Sequence, residues 1–496
     1  MLKSGPGAVG LLVFLFSSIY FISFCRYGLN LWDEGALYYG AIRYMNGQKV
    51  MTDFMGYPEG RYIIVEAVYR LFGMEMINVR YAFAFLTALL PFLTYHIARR
   101  FISGGFLVAA VLLSVSAPAV YYQRFYGFVF LLNAFALLKF LESKSNYPWL
   151  IAGLISVYLF KVEVFFILLP AYSFVLWKRF EDGKNEFWIT VVSGAALLTM
   201  IAVKYGSYLF QRMSVEVGIW GNSFPSLFEG YQGREFGLFA FLENLLFYLP
   251  IFTSAFLVYL GIVSYRKNTR MSERYLLLGY LQFAALGVVI GRAGFDNLIR
   301  CLPLFFIAAP IVANILVDRI KPANGRAFAL SGIVVVFFLY MADLNLANGF
   351  YAGSIGAVQS NETRMQKGRA AGIYAPKNDV AIVNALVDWI DTETRPGDKI
   401  FSVPLNPLIY YLADRDNPSG YDWLLPGTLK DKSEERELVK ALDEDKPNLI
   451  VLVDLAIDNN EERKLNVYAP LFVNWIADNY SYAGRVAYYQ IWRKHI

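Results

Sequence analysis

The sequence has few charged residues, few histidines and few cysteines. Charged residues make up 17% of the 496 positions and hydrophobic residues 57%, whereas an ordinary soluble domain has about 25% charged residues. No soluble fold could bury so many apolar side chains, so we exclude a soluble globular protein. The two histidines, His96 and His495, are too few for a histidine-rich zinc site. The two cysteines, Cys25 and Cys301, each end an apolar run, which favours buried free thiols over a disulfide.

The positive charge does not form a nucleic-acid-binding face. The net charge is +5, but the lysines and arginines lie in short segments between apolar runs, where such residues orient membrane helices. We therefore expect no nucleic-acid partner.

Apolar runs of membrane-spanning length recur through the first 344 residues. A helix of about 20 apolar residues crosses a hydrocarbon core of about 30 Å. The pattern predicts a polytopic α-helical membrane protein with about eleven transmembrane helices. The predicted spans are residues 8–25, 79–97, 104–120, 125–141, 148–160, 162–177, 187–206, 239–263, 275–291, 300–317 and 327–344.

The positive residues predict the orientation of these spans. If the N-terminus is cytoplasmic, every inner loop carries lysine or arginine, as the positive-inside rule requires. The chain is then a multi-pass protein of the cell (plasma) membrane, and its main outer segments are the loop 26–78, a loop at 207–238 and everything after Asp343. The inner loops contain Arg99, Arg100, Lys139, Lys144, Lys178, Arg179, Lys184, Arg266, Lys267, Arg270, Arg274, Arg319, Lys321 and Arg326.

The hydropathy pattern changes after the last predicted span. Helical and strand-like patterns alternate, which predicts a C-terminal extracytoplasmic α/β domain over residues 378–496. Residues 345–377 have little periodicity and are predicted as a linker or mobile loop, while residues 1–344 form the transmembrane domain, including the outer loop 26–78 with its amphipathic helices. The predicted helices are 379–392, 432–444 and 468–478, and the predicted strands are 399–403, 448–453 and 484–492.

The first outer loop concentrates acidic residues beside the membrane. Asp33 and Glu34 begin an amphipathic segment that ends near Gly47, and Glu59 and Arg61 precede the next one. Two carboxylates at a helix N-terminus are explained by capping and by the helix dipole. So much charge close to a bilayer is costly unless it lines a wet cavity, so a polar cavity at the outer surface is the alternative.

Further charged residues lie near the outer ends of predicted spans. Lys161 and Glu163 occupy the tip of a helical hairpin, Arg124 lies at another tip, and a third polar turn contains Arg292, Asp296 and Arg300. Snorkelling to the interface explains the cations equally well, and an ordinary capped turn explains the third group.

These features together resemble the GT-C glycosyltransferases, and the nearest branch is that of the protein O-mannosyltransferases and the lipid A aminoarabinose transferases. The resemblance rests on Asp33-Glu34 soon after the first span, on Tyr57-Pro58-Glu59-Gly60-Arg61 before the second, on Lys161-x-Glu163, and on the trailing outer domain. It covers the architecture of nearly the whole chain. Aminoarabinose transferases have a lysine directly after the acid, where this chain has Gly60.

The resemblance implies transfer of a sugar from a polyprenyl-phosphate donor to a hydroxyl of a lipid glycan, polysaccharide or protein outside the cytoplasm, usually with inversion. Asp33 matches the family's proposed base, and Glu34 is its catalytic neighbour. The substrate-binding residues implied are Glu59, Arg61, Arg124, Lys161, Glu163, Arg292, Asp296 and Arg300. The C-terminal domain is expected to be a lid or acceptor-recognition module.

Two further matters stay open at the level of sequence. Asp33, Glu34 and Glu59 could hold Mg²⁺ or Mn²⁺, but transfer from a phosphate can run on lysine and arginine alone, so no obligatory metal is expected. A transporter or flippase of lipid-linked saccharides would share the many spans and the polar cavity, although the charges gather at outer ends and no repeat is visible. A noncatalytic relative that binds cell-wall polymer is a third possibility.

Overall fold

The computed structural model of the chain describes residues 5–117, 125–180, 188, 191–206, 238–287, 295–320, 323–346, 355–366, 368–453, 456 and 461–495. The described residues form two compact units. The helical unit contains residues up to Cys25, Phe83–Gly206 and residues from 238 to Gln359. The sheet unit contains Arg26–Ala82 and the residues from Ser360 onwards.

Most of the described residues are helical, and the helices are named here in the order of the chain. They are α1 (Pro6–Phe24), α2 (Asp33–Met45), α3 (Gly60–Phe72), α4 (Met76–Ala98), α5 (Gly104–Ser116), α6 (Phe125–Glu142), α7 (Tyr147–Phe160), α8 (Val164–Phe180), α9 (Val191–Gly206), α10 (Leu238–Ser264), α11 (Thr269–Leu286), α12 (Phe295–Arg319), α13 (Ala323–Leu346), α14 (Ile355–Ser360), α15 (Lys377–Glu393), α16 (Pro407–Ala413), α17 (Lys432–Glu444), α18 (Leu465–Tyr468) and α19 (Pro470–Asn479). Short 3₁₀ turns occur at Lys144–Asn146, Gly368–Ala370 and Glu461–Arg463.

Several of the described helices are apolar along most of their length. Among the described residues, four are long and apolar enough to cross a membrane: Gly7–Phe24, Met76–Ala98, Phe125–Glu142 and Leu298–Arg319. Shorter apolar helices lie at Gly104–Ser116, Tyr147–Phe160, Val191–Gly206, Tyr248–Ser264 and Asn324–Leu339. Together with the high hydrophobic content of the sequence, these helices indicate that the chain is a membrane protein. The count of eleven spans stays a prediction. Cys25 and Cys301 are free and buried, as predicted.

A buried polar cluster joins three helices of the helical unit. Asn133 on α6 is fully buried, and its side-chain oxygen accepts a hydrogen bond of 2.5 Å from the Tyr172 hydroxyl of α8. The Asn133 amide donates to the carbonyl of Gly153 on α7 at 3.3 Å. A Cβ at Gly153 would lie 2.7 Å from that asparagine oxygen, so glycine permits the close approach. The cluster thus fixes the α7–α8 hairpin against α6.

The sheet unit has a four-stranded sheet with strand order β3-β4-β6-β5. The strands β3 (Ile400–Val403) and β4 (Leu449–Val453) are parallel and completely buried, which explains their continuous apolar sequences. The strands β5 (Tyr480–Val486) and β6 (Tyr489–Lys494) form an antiparallel hairpin. The prediction of one strand over 484–492 was wrong because the chain turns at Ala487, whose φ is 51°. The core beneath the sheet includes Phe401, Leu438, Phe472 and Trp475.

The remaining part of the sheet unit differs from the predicted division of the chain. Residues of the first outer loop pack with the C-terminal residues, although the sequence grouped that loop with the transmembrane domain. Within the predicted linker, β1 (Thr363–Arg364) pairs with β2 (Tyr374–Ala375). The backbone of Tyr374 also donates to Arg26 at 2.7 Å and accepts from Gly28 at 2.9 Å. Backbone pairing between residues so distant in sequence leaves no local pattern to predict.

The helices α2 and α3 have different surfaces. Residues 34–41 of α2 are all buried, whereas the sequence predicted an amphipathic helix at the outer membrane interface. By contrast, α3 ends with Leu71 and Phe72 at 74% and 68% exposure, as expected of an amphipathic helix at a membrane surface.

Candidate functional site

Asp33 is the first residue of α2, but its side chain is not the helix cap. The side-chain oxygen of Asn30 accepts hydrogen bonds from the backbone N–H groups of Trp32 and Asp33, both at 2.9 Å. These bonds satisfy donors that a helix start leaves unpaired. The Asp33 side chain is half-buried, and no hydrogen bond or ion pair of its carboxylate is found among the described residues.

The neighbouring Glu34 has a different environment. Its carboxylate forms a bidentate ion pair with Arg80, with oxygen–nitrogen distances of 2.7 and 3.0 Å. The two side chains are 3% and 0% exposed. A further nitrogen–oxygen distance of 2.8 Å joins Arg80 to the carbonyl of Gly28. Glu34 therefore fixes the turn that precedes α2.

Sequence reasoning did not identify Arg80. It lies close to the start of an apolar helix that follows the acidic loop, which is a weak signal because snorkelling explains most such arginines. Its guanidinium points inward to Glu34, a contact that only the folded chain shows.

Glu59 and Arg61 lie at the start of α3, in the same unit as Asp33. The Glu59 carbonyl accepts from the backbone N–H of Tyr62 at 2.9 Å, and the Glu59 side chain does not cap the helix. Arg61 is only 2% exposed, and its guanidinium carbon lies 4.0 Å from the centre of the Tyr57 ring. Such a cation–π contact stabilises a buried guanidinium.

Lys161 and Glu163 lie at the turn between α7 and α8, in the helical unit. The ammonium nitrogen of Lys161 is 3.1 Å from a Glu163 carboxylate oxygen, and the lysine is 4% exposed. The same ammonium lies 3.8 Å from the ring centre of Tyr126, whose hydroxyl donates to Glu163 at 2.8 Å. Tyr126 was not predicted, since nothing in the sequence distinguishes it from the other aromatics near that helix end. Glu163 and Tyr126 therefore hold the buried Lys161 ammonium in place.

The other predicted residues are less fully described. Arg300 lies half-buried on α12. Asp296 lies on the same helix, but its side chain is outside the described residues, as are Arg124 and Arg292 entirely. The structure thus pairs Lys161 with Glu163, and it pairs Glu34 with Arg80, which was not in the predicted set.

A metal site is not evident in the described part of the chain. No group of three or more His, Cys, Asp or Glu side chains there could hold a metal ion. Asp33, Glu34 and Glu59 are all described and do not form such a group. Arg80 already neutralises the charge of Glu34, so that carboxylate does not fit the role of a ligand to Mg²⁺ or Mn²⁺.

Comparison with known proteins gives a result at the level of fold. No protein-family model matches the sequence, and no curated protein matches it significantly. The structure is similar to ArnT from Cupriavidus metallidurans bound to undecaprenyl phosphate, with 14% identity, a TM-score of 0.53, and coverage of 98% of this chain and 97% of that chain. It is also similar to the archaeal oligosaccharyltransferase AglB from Archaeoglobus fulgidus in complex with an inhibitory peptide and a dolichol-phosphate. There the identity is 12%, the TM-score is 0.52, and coverage is 99% of this chain and 74% of that chain.

ArnT and AglB both belong to the GT-C superfamily. The similarity extends over nearly the whole chain and includes both compact units. It agrees with the resemblance noted in the sequence. The chain therefore shares the overall fold of ArnT and AglB.

Proposed function

We propose that this protein is a membrane glycosyltransferase that moves a sugar from a polyprenyl-phosphate donor to a hydroxyl acceptor. The acceptor hydroxyl oxygen bonds to the anomeric carbon, the bond from that carbon to the phosphate oxygen breaks, and polyprenyl phosphate leaves as an anion. The hydroxyl proton passes to Asp33. Attack from the face opposite the leaving group inverts the anomeric configuration.

The observation that carries the proposal is the Asp33 carboxylate, which has no hydrogen bond or ion pair among the described residues, at a helix start fixed by Asn30 in a chain that shares the fold of ArnT. A hydroxyl is a weak nucleophile at neutral pH, so a general base within reach of its proton accelerates attack. Asn30 supplies the capping bonds and Arg80 neutralises Glu34, which leaves Asp33 for chemistry. The bound lipid phosphates of ArnT and AglB support a lipid-linked donor here.

Cations stabilise the departing phosphate in this proposal. Lys161 and Arg61 are buried, and Arg300 is half-buried. Charge-assisted hydrogen bonds from such groups are strong, and they favour the anion that forms as the sugar leaves. We assign Lys161 to the phosphate, with Glu163 orienting it, and we keep Arg61, Arg124, Arg292, Arg300, Glu59 and Asp296 as further substrate-binding residues.

The proposed orientation puts the N-terminus in the cytoplasm and the C-terminal residues outside it. The positive inner loops support this orientation. The acceptor is a lipid glycan, a polysaccharide or a protein hydroxyl, and the surrounding membrane lipid carries the donor. The proposed reaction has no obligatory metal, because lysine and arginine can stabilise the phosphate anion that leaves.

A binding screen tests the proposal. The purified protein in detergent is heated with a panel of polyprenyl-phosphate monosaccharides, and free polyprenyl phosphate and nucleotide sugars serve as controls. We expect one lipid-linked sugar to raise the melting temperature more than free polyprenyl phosphate does, and nucleotide sugars to have no effect. Indifference of the folded protein to every lipid phosphate would contradict the proposal.

A further inference from the structure

The helix that begins at Asp33 packs closely on a C-terminal helix of the same unit. Tyr38 stacks on Tyr411 with ring centres 5.1 Å apart, and Tyr39 stacks on Tyr410 with ring centres 4.8 Å apart. All four rings are almost completely buried. Consecutive residues of α2 therefore meet consecutive residues of α16, which fixes α2 against rotation about its axis.

Gly35, two residues after Asp33, allows the two backbones to touch. A Cβ at this position would lie 2.1 Å from the backbone nitrogen of Leu408. No side chain can occupy that space without displacing α16. The start of α2 is therefore held by direct backbone contact as well as by the tyrosine stacks.

The end of α2 is held by a buried ion pair. A guanidinium nitrogen of Arg43 lies 2.6 Å from an Asp422 carboxylate oxygen, and the two side chains are 5% and 1% exposed. Arg43 also donates to the carbonyl of Ser419 at 2.9 Å and to that of Asp53 at 3.2 Å. Burial raises the pKa of the Asp422 carboxyl above its usual value, and the Arg43 charge partly offsets this.

Asn417 also links α2 to Asp422 through two hydrogen bonds. The backbone N–H of Asn417 donates to the Tyr39 hydroxyl at 2.7 Å, and the Asn417 side chain donates to Asp422 at 3.0 Å. Tyr39 and Asp422 thus share one partner. Removing either member of a buried charged pair leaves the other charge uncompensated, which makes this cluster sensitive to small changes.

We infer that Arg43 and Asp422 are positioning residues that, with the Tyr39–Tyr410 stack, hold α2 so that Asp33 is presented in one place. Arg43 lies ten positions beyond Asp33, about 15 Å along a helix, so the pair acts through α2 and touches no substrate. The segment from Tyr410 to Asp422 is then a support for the catalytic helix, and not the surface of a lid. This inference rests on the proposed role of Asp33.

Two variants test the inference by different routes. Asp422→Asn removes the charge opposite Arg43 with little change of shape. The milder Tyr39→Phe removes only the hydroxyl that Asn417 reaches and keeps the ring stack, so it keeps the test valid if Asp422→Asn does not fold. Tyr480→Phe is the matched control, because this buried tyrosine donates to the carbonyl of Pro447 at 2.8 Å, which lies outside α2.

Hydrogen exchange and kinetics are measured on the full chain in detergent. We expect both variants to raise amide exchange in residues 33–45 and to lower kcat by about 10- to 100-fold, while KM for the donor changes less than about threefold. The control should leave α2 exchange and kcat unchanged even if its melting temperature falls.

Three results would overturn the inference. They are unchanged exchange of α2 in both folded variants, increased exchange with unchanged kcat, and an equal loss of kcat in the control. If the unmodified protein shows neither lipid-phosphate binding nor transfer, the proposed function fails. The exchange measurement still decides whether the ion pair holds α2.

Discussion

The start of α2 and the turn between α7 and α8 each place a charged side chain, and they do so in different ways. Asp33 is half-buried and has no ion-pair partner among the described residues, while its backbone is fixed by Asn30. Lys161 is buried, and its ammonium group contacts both Glu163 and Tyr126. A group that accepts a proton needs a free lone pair, whereas a cation that binds an anion needs a fixed position. The difference fits a base in one region and a phosphate-binding cation in the other.

The largest expected effect is at Asp33. Asp33→Asn should lower kcat by about 10²- to 10⁴-fold, the usual range for loss of a general base. Donor binding should stay the same and the melting temperature should change little, because the Asp33 carboxylate makes no hydrogen bond or ion pair among the described residues. Steady-state transfer assays and donor titration measure the two quantities. Full activity in the asparagine variant would mean that Asp33 only stabilises the helix.

Substitution of Glu34, next to Asp33, should mainly lower the stability of the fold. Glu34→Gln leaves Arg80 buried without its charged partner, so the free energy of unfolding should fall by about 3–5 kcal/mol. Glu66→Gln is the control, because its pair with the largely exposed Arg70 should contribute less than about 1 kcal/mol. Chemical denaturation in detergent compares them. Equal losses in the two variants would contradict a larger contribution of the buried Glu34–Arg80 pair to stability.

Substitution of Lys161, at the turn between α7 and α8, should mainly weaken the binding of polyprenyl phosphate. Lys161→Ala removes a charge-assisted hydrogen bond to the phosphate, which should weaken polyprenyl phosphate binding by about 10- to 100-fold. Lys178→Ala is the control, because Lys178 pairs with Glu273 at 3.5 Å near the other end of α8. Titration with the lipid measures both affinities. If both variants bind as tightly as the unmodified protein, Lys161 has only a structural role.

The smallest expected effect concerns alkaline pH. Burial raises the pKa of Tyr62 to about 12 in the folded chain, above its ordinary value near 10. The stability linked to this higher folded pKa is present below pH 10 and is lost as pH rises from about 10 to about 12. The melting temperature of Tyr62→Phe should therefore fall less steeply than that of the unmodified protein as pH rises from about 10 to about 12. Melting temperatures of both proteins at several alkaline pH values test this. If melting temperature falls equally steeply with pH in both, the Tyr62 hydroxyl does not have a raised pKa in the folded chain.

Local patterns in the sequence predict part of the site and not the rest. The Lys161–Glu163 pair and the helix start at Asp33 could be predicted because each depends on neighbours in sequence. The pairs Glu34–Arg80 and Arg43–Asp422 join residues 46 and 379 positions apart. A single sequence contains no signal for such contacts. For the same reason, the packing of Tyr410 and Tyr411 against α2 could not be predicted.

Reconstitution into liposomes with a selected lipid-linked sugar tests the central claim most directly. The assay follows two quantities in one sample: cleavage of the sugar–phosphate bond, with the anomeric configuration of the product, and movement of intact donor between leaflets. The account predicts release of free polyprenyl phosphate and an inverted glycoside when a hydroxyl acceptor is present. Movement of the intact lipid-linked sugar without cleavage would contradict it and would indicate a transporter.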